Sequence, residues 1–368
     1  MGLLEWIAAS LPALMWVGLL LTPWRPWSTR ERIEADPHAA SVDLSQITVL
    51  IPARNEADVI GLTLSGLQAQ GSGLQIIVVD DQSTDDTGNI AAAFPNVRVI
   101  GGQPLPQGWA GKLWALEQGN AHVHTPMTLL LDADIQLQPG LLPALLAHKQ
   151  HDNRQFVSLM ADLRRTSFWD RLLLPAFVYY FKLLYPFSIS NSSSRLVAAA
   201  AGGCILVDTQ ALQQAGAFAS LRNALIDDCT LARQIKNAGY RTWLGLSRGV
   251  VSLRPYGNLR SIHDMVARSA FTQLGYSTLL LLVVTVLFAI AYGLPFAMLG
   301  SPAWRLGLLA LAAMMLSYVP MLRYYHMRLA WALLLPLGAV LYLGMTWSSA
   351  IRYWRGVRSK WKDRTYST

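Results

Sequence analysis

MTLLLDADI (residues 127–135) is an apolar run that passes straight into two carboxylates, Asp132 and Asp134, with one residue between them. An unbroken hydrophobic stretch this short reads as a buried strand. Acidic side chains are seldom enclosed unless they are paired or hold a cation. Spaced i and i+2 on an extended backbone, the two would point the same way. Such a pair suits Mg²⁺ or Mn²⁺, hard ions that take oxygen ligands and readily share a diphosphate. A strand-ending turn also favours Asp, and so short a pattern does not separate the two readings by itself.

The flanking chain tips the balance. ITVLIPA (47–53), QIIVVDD (75–81) and VRVI (97–100) read as further strands, with helices over 57–70, 84–94, 111–121 and 139–150. Strands alternating with helices predict an α/β domain, a mostly parallel sheet covered on both faces. Ligands in such sheets bind at the carboxyl ends of strands, near a switch in strand order. Three of the strands end in Arg54-Asn55-Glu56, Asp80-Asp81 and Asp132-Ala133-Asp134. Carboxylates gathered on one edge repel one another unless something cationic joins them. Their shared placement points to a nucleotide-and-metal site.

The whole chain has 368 residues, 30 basic against 22 acidic, a net charge of +8, with only 14% charged and 53% hydrophobic residues. That mix is too apolar for a nucleic-acid binder, and no aromatic stacking platform is interleaved with the basic residues, so no nucleic-acid partner is expected. A membrane protein with basic flanks accounts for both figures. Residues 6–24 carry no charge and are long enough to cross a bilayer. Glu5 stands where a signal peptide would be positive, and no small-residue cleavage site follows. Arg25, Arg30 and Arg32 come next and place that end in the cytoplasm. Cys204 and Cys229 make neither a disulfide framework nor a metal-ligand spacing, and fit a reducing compartment.

Towards the C-terminus, 269–304, 306–322 and 329–350 are free of charge and long enough to span, the middle one only just. The charge rule conflicts with itself here. Three spans would carry the tail, with six basic residues from Arg352 to Arg364, away from the side holding the sheet domain. Pro336 leaves open a re-entrant or tilted course for 329–350. Residues 168–187 are aromatic but interrupted by Asp170, Arg171, Lys182, Pro175 and Pro186, which fits an interfacial helix or a core helix equally. Gly202 and Gly203, before a strand, either admit a ligand close to the backbone or serve tight packing. Asp227 and Asp228 open a helix running to Asn237. One carboxylate suffices as a cap, so the second is in surplus, and a carboxylate in such a place can act as general base.

Taken together, PARNE (52–56), VVDDQSTDD (78–86), LLDAD (130–134) and IDDC (226–229) resemble the inverting, GT-A type glycosyltransferases of family 2, which use nucleoside-diphosphate sugars. More narrowly, GWAGKLWALEQG (108–119), AAAGGCILV (199–207) and DDCTLARQIKNAGYRTWLG (227–245), followed by apolar helices, resemble the hopene-associated glycosyltransferases. The resemblance covers the chain from about residue 47 onward. It implies a nucleoside pocket lined by Pro52, Ala53 and Glu56, with Asp80 and Asp81 at the base and ribose end and Lys112 near the diphosphate. Asp132 and Asp134 would be the D-x-D pair, Asp134 the direct ligand of Mg²⁺ or Mn²⁺. Asp228, beside Asp227, matches the general base, and Trp109, Gly202 and Gly203 are candidates for the acceptor pocket. Relatives that make polymers or glucosylceramide carry Q/R-x-x-R-W after the base. Here Met265-Val266-Ala267-Arg268-Ser269 keeps only Arg268 as a diphosphate clamp, which speaks against processive polymer synthesis.

The resulting expectation is a multi-pass enzyme of the plasma (inner) membrane that moves a sugar to a lipid acceptor of hopanoid type. Its parts would be an N-terminal transmembrane helix (1–24), a linker (25–46), a cytoplasmic GT-A domain (47–262), a membrane domain of two or three helices (263–351) and a basic tail (352–368). A polyprenyl-phosphate or ceramide-type glycolipid acceptor is the alternative within the same chemistry. A non-catalytic scaffold would have no reason to keep clustered carboxylates. A dinucleotide oxidoreductase would need G-x-G-x-x-G where Arg54-Asn55-Glu56 stand.

Overall fold

The computed structural model describes residues 3–37, 42–222, 224, 226–357, 360–361 and 364–365, so much of the predicted basic tail and part of the predicted linker lie outside the described residues. The chain forms two units. One, containing 31–164 and 189–255, is built on a sheet. Its strands are β1 (Ile47–Ala53), β2 (Gln75–Asp80), β3 (Val97–Gly101), β4 (Met127–Leu131), β5 (Ile135–Leu137), β6 (Phe156–Asp162), β7 (Cys204–Asp208) and β8 (Thr242–Ser252). They lie in the order β3-β2-β1-β4-β7-β6-β8-β5. The pairings β3–β2, β2–β1, β1–β4 and β6–β8 are parallel, whereas β7 runs against both of its neighbours and β5 against β8.

The period-2 alternation of each strand sorts its side chains between two apolar layers. Ile47, Val49 and Ile51 of β1 and Leu129 and Leu131 of β4 enter one, with Ile60, Leu64 and Leu67 of α1 (Ile60–Gln68), Ala91 of α2 (Thr87–Ala92) and Leu141 to Leu146. Leu50, Val79 and Leu130 enter the other, with helices α3 (Gly111–Asn120), α5 (Thr209–Gln214) and α6 (Asp227–Asn237), whereas α4 (Leu141–His151) belongs to the first. The buried hydroxyls satisfy each other, Thr48 with Thr125 at 2.7 Å and Thr128 with Thr209 at 2.8 Å. Gly119 lets α3 sit down on the sheet: a Cβ there would come within 2.2 Å of Leu50 Cδ1 and 2.7 Å of Val79 Cγ2. The expected mostly parallel α/β sheet covered on both faces is therefore present. Residues 31–36, inside the expected linker, join it: Ile33 N–H donates to Leu246 O at 3.0 Å and Arg248 Nε to Glu34 Oε1 at 3.1 Å.

The other unit comprises 1–30, 165–188 and 256–357. Three of its helices are long and apolar enough to cross a membrane: Thr278–Met298, Trp304–Tyr324 and Leu329–Trp354. The N-terminal helix Leu3–Leu21 has 19 residues, about 28 Å of rise, close to a bilayer's hydrocarbon core, although its described apolar part, Trp6–Leu21, is shorter than these three. Pro336 sits in the first turn of the α-helical part, Leu335–Trp354, after a 3₁₀ stretch over Leu329–Leu334. The proline thus starts a helix that continues to Trp354 rather than breaking it. Pro295 removes a donor from the first of the three helices, and Trp16 Nε1 donates instead to Ala291 O at 2.8 Å. Residues 168–187 supply helix Phe168–Leu184, capped by Ser167 and Asp170. Its Tyr179 hydroxyl bonds Ser317 at 2.7 Å and its Leu173 carbonyl accepts from Tyr342 at 2.8 Å, so it packs among the apolar helices as a core element of this unit.

Candidate active site

β1, β2 and β4 all end on one edge of the sheet, and the reversed β7 begins there. Asp132 is the first residue beyond β4. Its N–H donates to Gly203 O at 3.1 Å, and its own carbonyl accepts from Ile135 N–H at 3.1 Å. Asp132-Ala133-Asp134 is thus a turn and not extended backbone, which corrects the i, i+2 argument made from the sequence. The turn is needed because the chain must pass from β4 to β5, which pairs with β8 on the far side of the sheet. It is pinned by Thr63 Oγ1 on Ala133 O at 2.7 Å and Leu253 N–H on Asp134 O at 2.7 Å. The two carboxylates remain neighbours even so. Burial and then Asp132 push the Asp134 carboxyl up, opposed by Arg254 and Lys112.

Lys112, the second residue of α3, reaches Asp132 Oδ1 at 2.6 Å. Burial would push its ammonium down, but Asp132, Asp227 and Asp228 outweigh that and hold it above the ordinary lysine value. Asp227 and Asp228 are the first two residues of α6. Ile226 occupies the cap position without a side-chain bond, so both carboxylates stand inside the first turn. Asp228 Oδ2 accepts from Gly202 N–H at 2.9 Å and Oδ1 from Cys229 N–H at 2.7 Å. Burial and then Asp227 raise its carboxyl to about 6, against the pull of the Cys229 N–H, Lys112 and the Gly202 N–H. The same surroundings push the Cys204 thiol up to about 12, through burial and Asp132. Gly202 therefore does more than pack: it orients the carboxylate that α6 presents.

Pro52, Lys112, Asp132, Gly202, Asp227 and Asp228 all border one void of about 20 Å³, room for a single water. Gly203 borders Asp132 from the other side, an added Cβ lying 4.0 Å from Asp132 Oδ2. Asp80 ends β2, and Glu56 and Asp81 lie in the loops leaving β1 and β2, which are laced together. Arg54 Nη1 donates to Asp81 O at 2.5 Å, Asp81 N–H to Ala53 O at 2.8 Å, Glu56 N–H to Thr87 Oγ1 at 2.8 Å, and Ser83 N–H to Asp80 Oδ1 at 2.9 Å. Asp81 is fully buried and Asp80 half-buried. Trp109 stacks edge-on against Trp114, ring centres 5.2 Å apart, ahead of α3. Arg268 belongs to the helical unit, directly after helix Leu259–Ala267. The sequence reading missed Arg254, whose charge acts on Asp134 from just beyond β8. The signal was hidden, because Gly245, Ser247, Arg248 and Gly249 break the apolar pattern of β8.

Among the described residues no three His, Cys, Asp or Glu side chains are grouped to hold a metal. Asp132 and Asp134 nonetheless offer what a substrate-completed cation site requires, two hard oxygen donors whose mutual repulsion a cation would relieve. The donor chemistry fits Mg²⁺ or Mn²⁺ with further ligands from a diphosphate and water.

Residues 48–216 match the family described as Glycosyl transferase family 2. A 4,4'-diaponeurosporenoate glycosyltransferase of Staphylococcus aureus (strain USA300) is 35% identical over 89 residues, which is 24% of this chain and 24% of that protein. The chain thus spans about a quarter of the length of the curated relatives it matches. A mannosyltransferase from Pyrobaculum calidifontis, solved in complex with GDP-Man and Mn²⁺, superposes with a TM-score of 0.52 at 18% identity, covering 94% of each chain. That likeness establishes a GT-A-like fold.

Proposed function

We propose that the protein, which carries a glycosyl transferase family 2 domain over 48–216, is a membrane-bound glycosyltransferase that moves a sugar from a nucleoside-diphosphate sugar to a lipid hydroxyl. One observation carries the reading. Carboxylates from two distant segments, Asp132 and Asp228, are joined across one void by Lys112 and Gly202. A void of one water cannot enclose a sugar nucleotide, so the donor would lie across the strand exits with its anomeric carbon over that gap.

In this reading Pro52, Ala53, Glu56, Asp80 and Asp81 line the nucleoside end, and Lys112 faces the diphosphate. Asp134 and Asp132 would hold Mg²⁺ or Mn²⁺, which when bound offsets charge on the departing diphosphate. Asp228 accepts the proton of the acceptor hydroxyl while that oxygen bonds to the anomeric carbon. The bond from that carbon to the diphosphate oxygen breaks on the opposite face, so configuration inverts and no enzyme nucleophile is required. A carboxylate with its pKa near 6 is ionised at neutral pH yet basic enough for this task. Burial and then Asp227 keep that pKa raised.

The three helices apolar enough to span a membrane support an acceptor that resides in the bilayer. The relative named for 4,4'-diaponeurosporenoate supports a lipid-like acceptor, and the narrower sequence resemblance supports a hopanoid, bounded by Trp109, Gly202 and Gly203. Arg25, Arg30 and Arg32 after the N-terminal helix support a catalytic domain on the cytoplasmic face. The test is release of nucleoside diphosphate from UDP- and GDP-sugars by the purified full chain with Mn²⁺ and extracted bacterial lipids. Loss of release in Asp134→Ala and formation of a glycolipid are expected. Absence of any donor turnover would overturn the reading.

A further inference from the structure

A second cavity, of about 420 Å³, lies at the opposite end of the sheet. Arg154 precedes β6 and Arg241 precedes β8, two parallel strands that share the direction of β4 through the reversed β7. The entrances of β6 and β8 therefore lie across the sheet from Asp132, at the exit of β4. Arg154, Arg195, Lys236 and Arg241 line the cavity with Ser192, Ser193 and Tyr240, and among the described residues no carboxylate or aliphatic side chain joins them.

An ordinary basic surface keeps its ammonium groups in water, where they cost nothing. Lys236 is only 4% exposed. Its Nζ donates to Ser190 O at 2.6 Å and Val197 O at 2.9 Å, both neutral carbonyls. Burial and then Arg154 lower it to about 8. Arg154 spends Nη1 on Asn191 O at 2.9 Å and Thr242 O at 3.2 Å. Its Nε is buried without a hydrogen-bond acceptor, the Asp152 carboxylate standing 4.0 Å away. Arg241 adds a third positive charge that works against Arg154. Taking cations out of water is costly, and beyond the Asp152 carboxylate beside Arg154 an anion bound among them would stabilise the cluster.

We infer that this cavity is a binding site for a phosphate-bearing ligand, with Arg154, Arg195, Lys236 and Arg241 as its cationic donors and the Ser192 and Ser193 hydroxyls as neutral ones. A phosphate has the charge and the acceptor oxygens for such a set, and guanidinium groups bind it through paired donors. The absence of aliphatic lining means that the site takes the phosphate group itself and no acyl chain. A soluble phosphorylated metabolite and the head group of an anionic lipid share this chemistry. The inference stands apart from the reaction proposed for the other end of the sheet.

The test is calorimetric titration of the full chain with inorganic phosphate, in EDTA so that no cation assists binding at Asp132 and Asp134. One saturable site is expected, weakened at least about tenfold in the double variant Arg195→Ala/Arg241→Ala, whose exposed side chains can be removed without unfolding the chain. Repeating the titration in nanodiscs of phosphatidylcholine and of phosphatidylglycerol separates the sources. Phosphate binding lost only in phosphatidylglycerol identifies the lipid head group, and binding kept in both identifies a soluble ligand. No saturable binding, or binding unchanged in the double variant, would overturn the inference.

Discussion

The Lys112 ammonium stands 2.6 Å from Asp132 Oδ1, and its charge also acts on Asp227 and Asp228. One cation thus balances the strand exit of β4 and the start of α6 together. Replacing it with methionine keeps the length of the side chain and removes the charge. We expect kcat/KM to fall about 10²-fold, the scale for deleting one electrostatic donor at a reacting centre. Lys112 lowers the Asp228 pKa, so its loss should also move the acidic limb of the pH–rate profile to higher pH. A fall in rate with an unmoved limb would detach Lys112 from Asp228.

Asp228 provides a pH test with a definite sign. Its folded pKa, about 6, lies above the unfolded value of 3.8, so the folded state binds the proton more tightly. The stability that this gives is present below pH 3.8 and is lost as pH rises through about 6. Transfer should therefore decline below about pH 6, as the base is protonated. Asp228→Asn should reduce transfer about 10²–10⁴-fold while leaving nucleotide binding in place. Its melting temperature relative to the parent's should rise as the pH is raised from 4 to 8. Thermal scans across that range check the second half independently of the first.

Two glycines separate fold from chemistry. At Gly202 an added Cβ would meet Asp228 Oδ2 at 3.4 Å and Lys112 Nζ at 3.6 Å, ordinary contacts in the middle of the site. Gly202→Ala should cost less than about 1 kcal/mol in denaturant unfolding yet depress transfer. At Gly119 the same methyl would collide with Leu50 and Val79, and overpacking of that kind costs about 1–3 kcal/mol. A Gly202→Ala variant that unfolds more readily than Gly119→Ala would reverse this assignment.

Asp134→Ala tests the cation. EDTA should abolish transfer by the parent protein and Mn²⁺ should restore it, whereas the variant should stay inactive over the same Mn²⁺ titration. Paramagnetic broadening of a Mn²⁺ signal on addition of nucleoside diphosphate should occur with the parent protein and be weakened in the variant. Full activity of the parent in EDTA would remove the metal from the reaction.

The edge that holds the site could be read from the sequence because three strands end in charged residues and the strands themselves are continuous apolar runs. The four carboxylates Asp132, Asp134, Asp227 and Asp228, with Lys112, were all named from sequence, and the structure gathers them. Three of the eight strands, β5, β6 and β8, are absent from the sequence reading. Thr242–Ser252 contains Gly245, Ser247, Arg248 and Gly249, which interrupt any apolar pattern, and Ile135–Leu137 is too short to register. Phe156–Asp162 is by contrast an apolar run of the same kind as Ile47–Ala53. Arg254 went unnamed with the strand that carries it. Helix Phe168–Leu184 hid its place because Asp170 and Lys182 are both buried, Asp170 accepting N–H groups from Thr166, Ser167 and Gly257. Sequence alone assigns such charges to water.

The single reversed strand beside β4 has an evolutionary corollary. Because β7 enters where its neighbours leave, Gly202 and Gly203 hang on the incoming segment from Ser190 onward instead of on a strand exit. Insertions or deletions in that segment could remodel the acceptor side proposed above while the proposed donor side, anchored to β1, β2 and β4, stays in register. Substrate range and nucleotide recognition can then diverge separately within one scaffold.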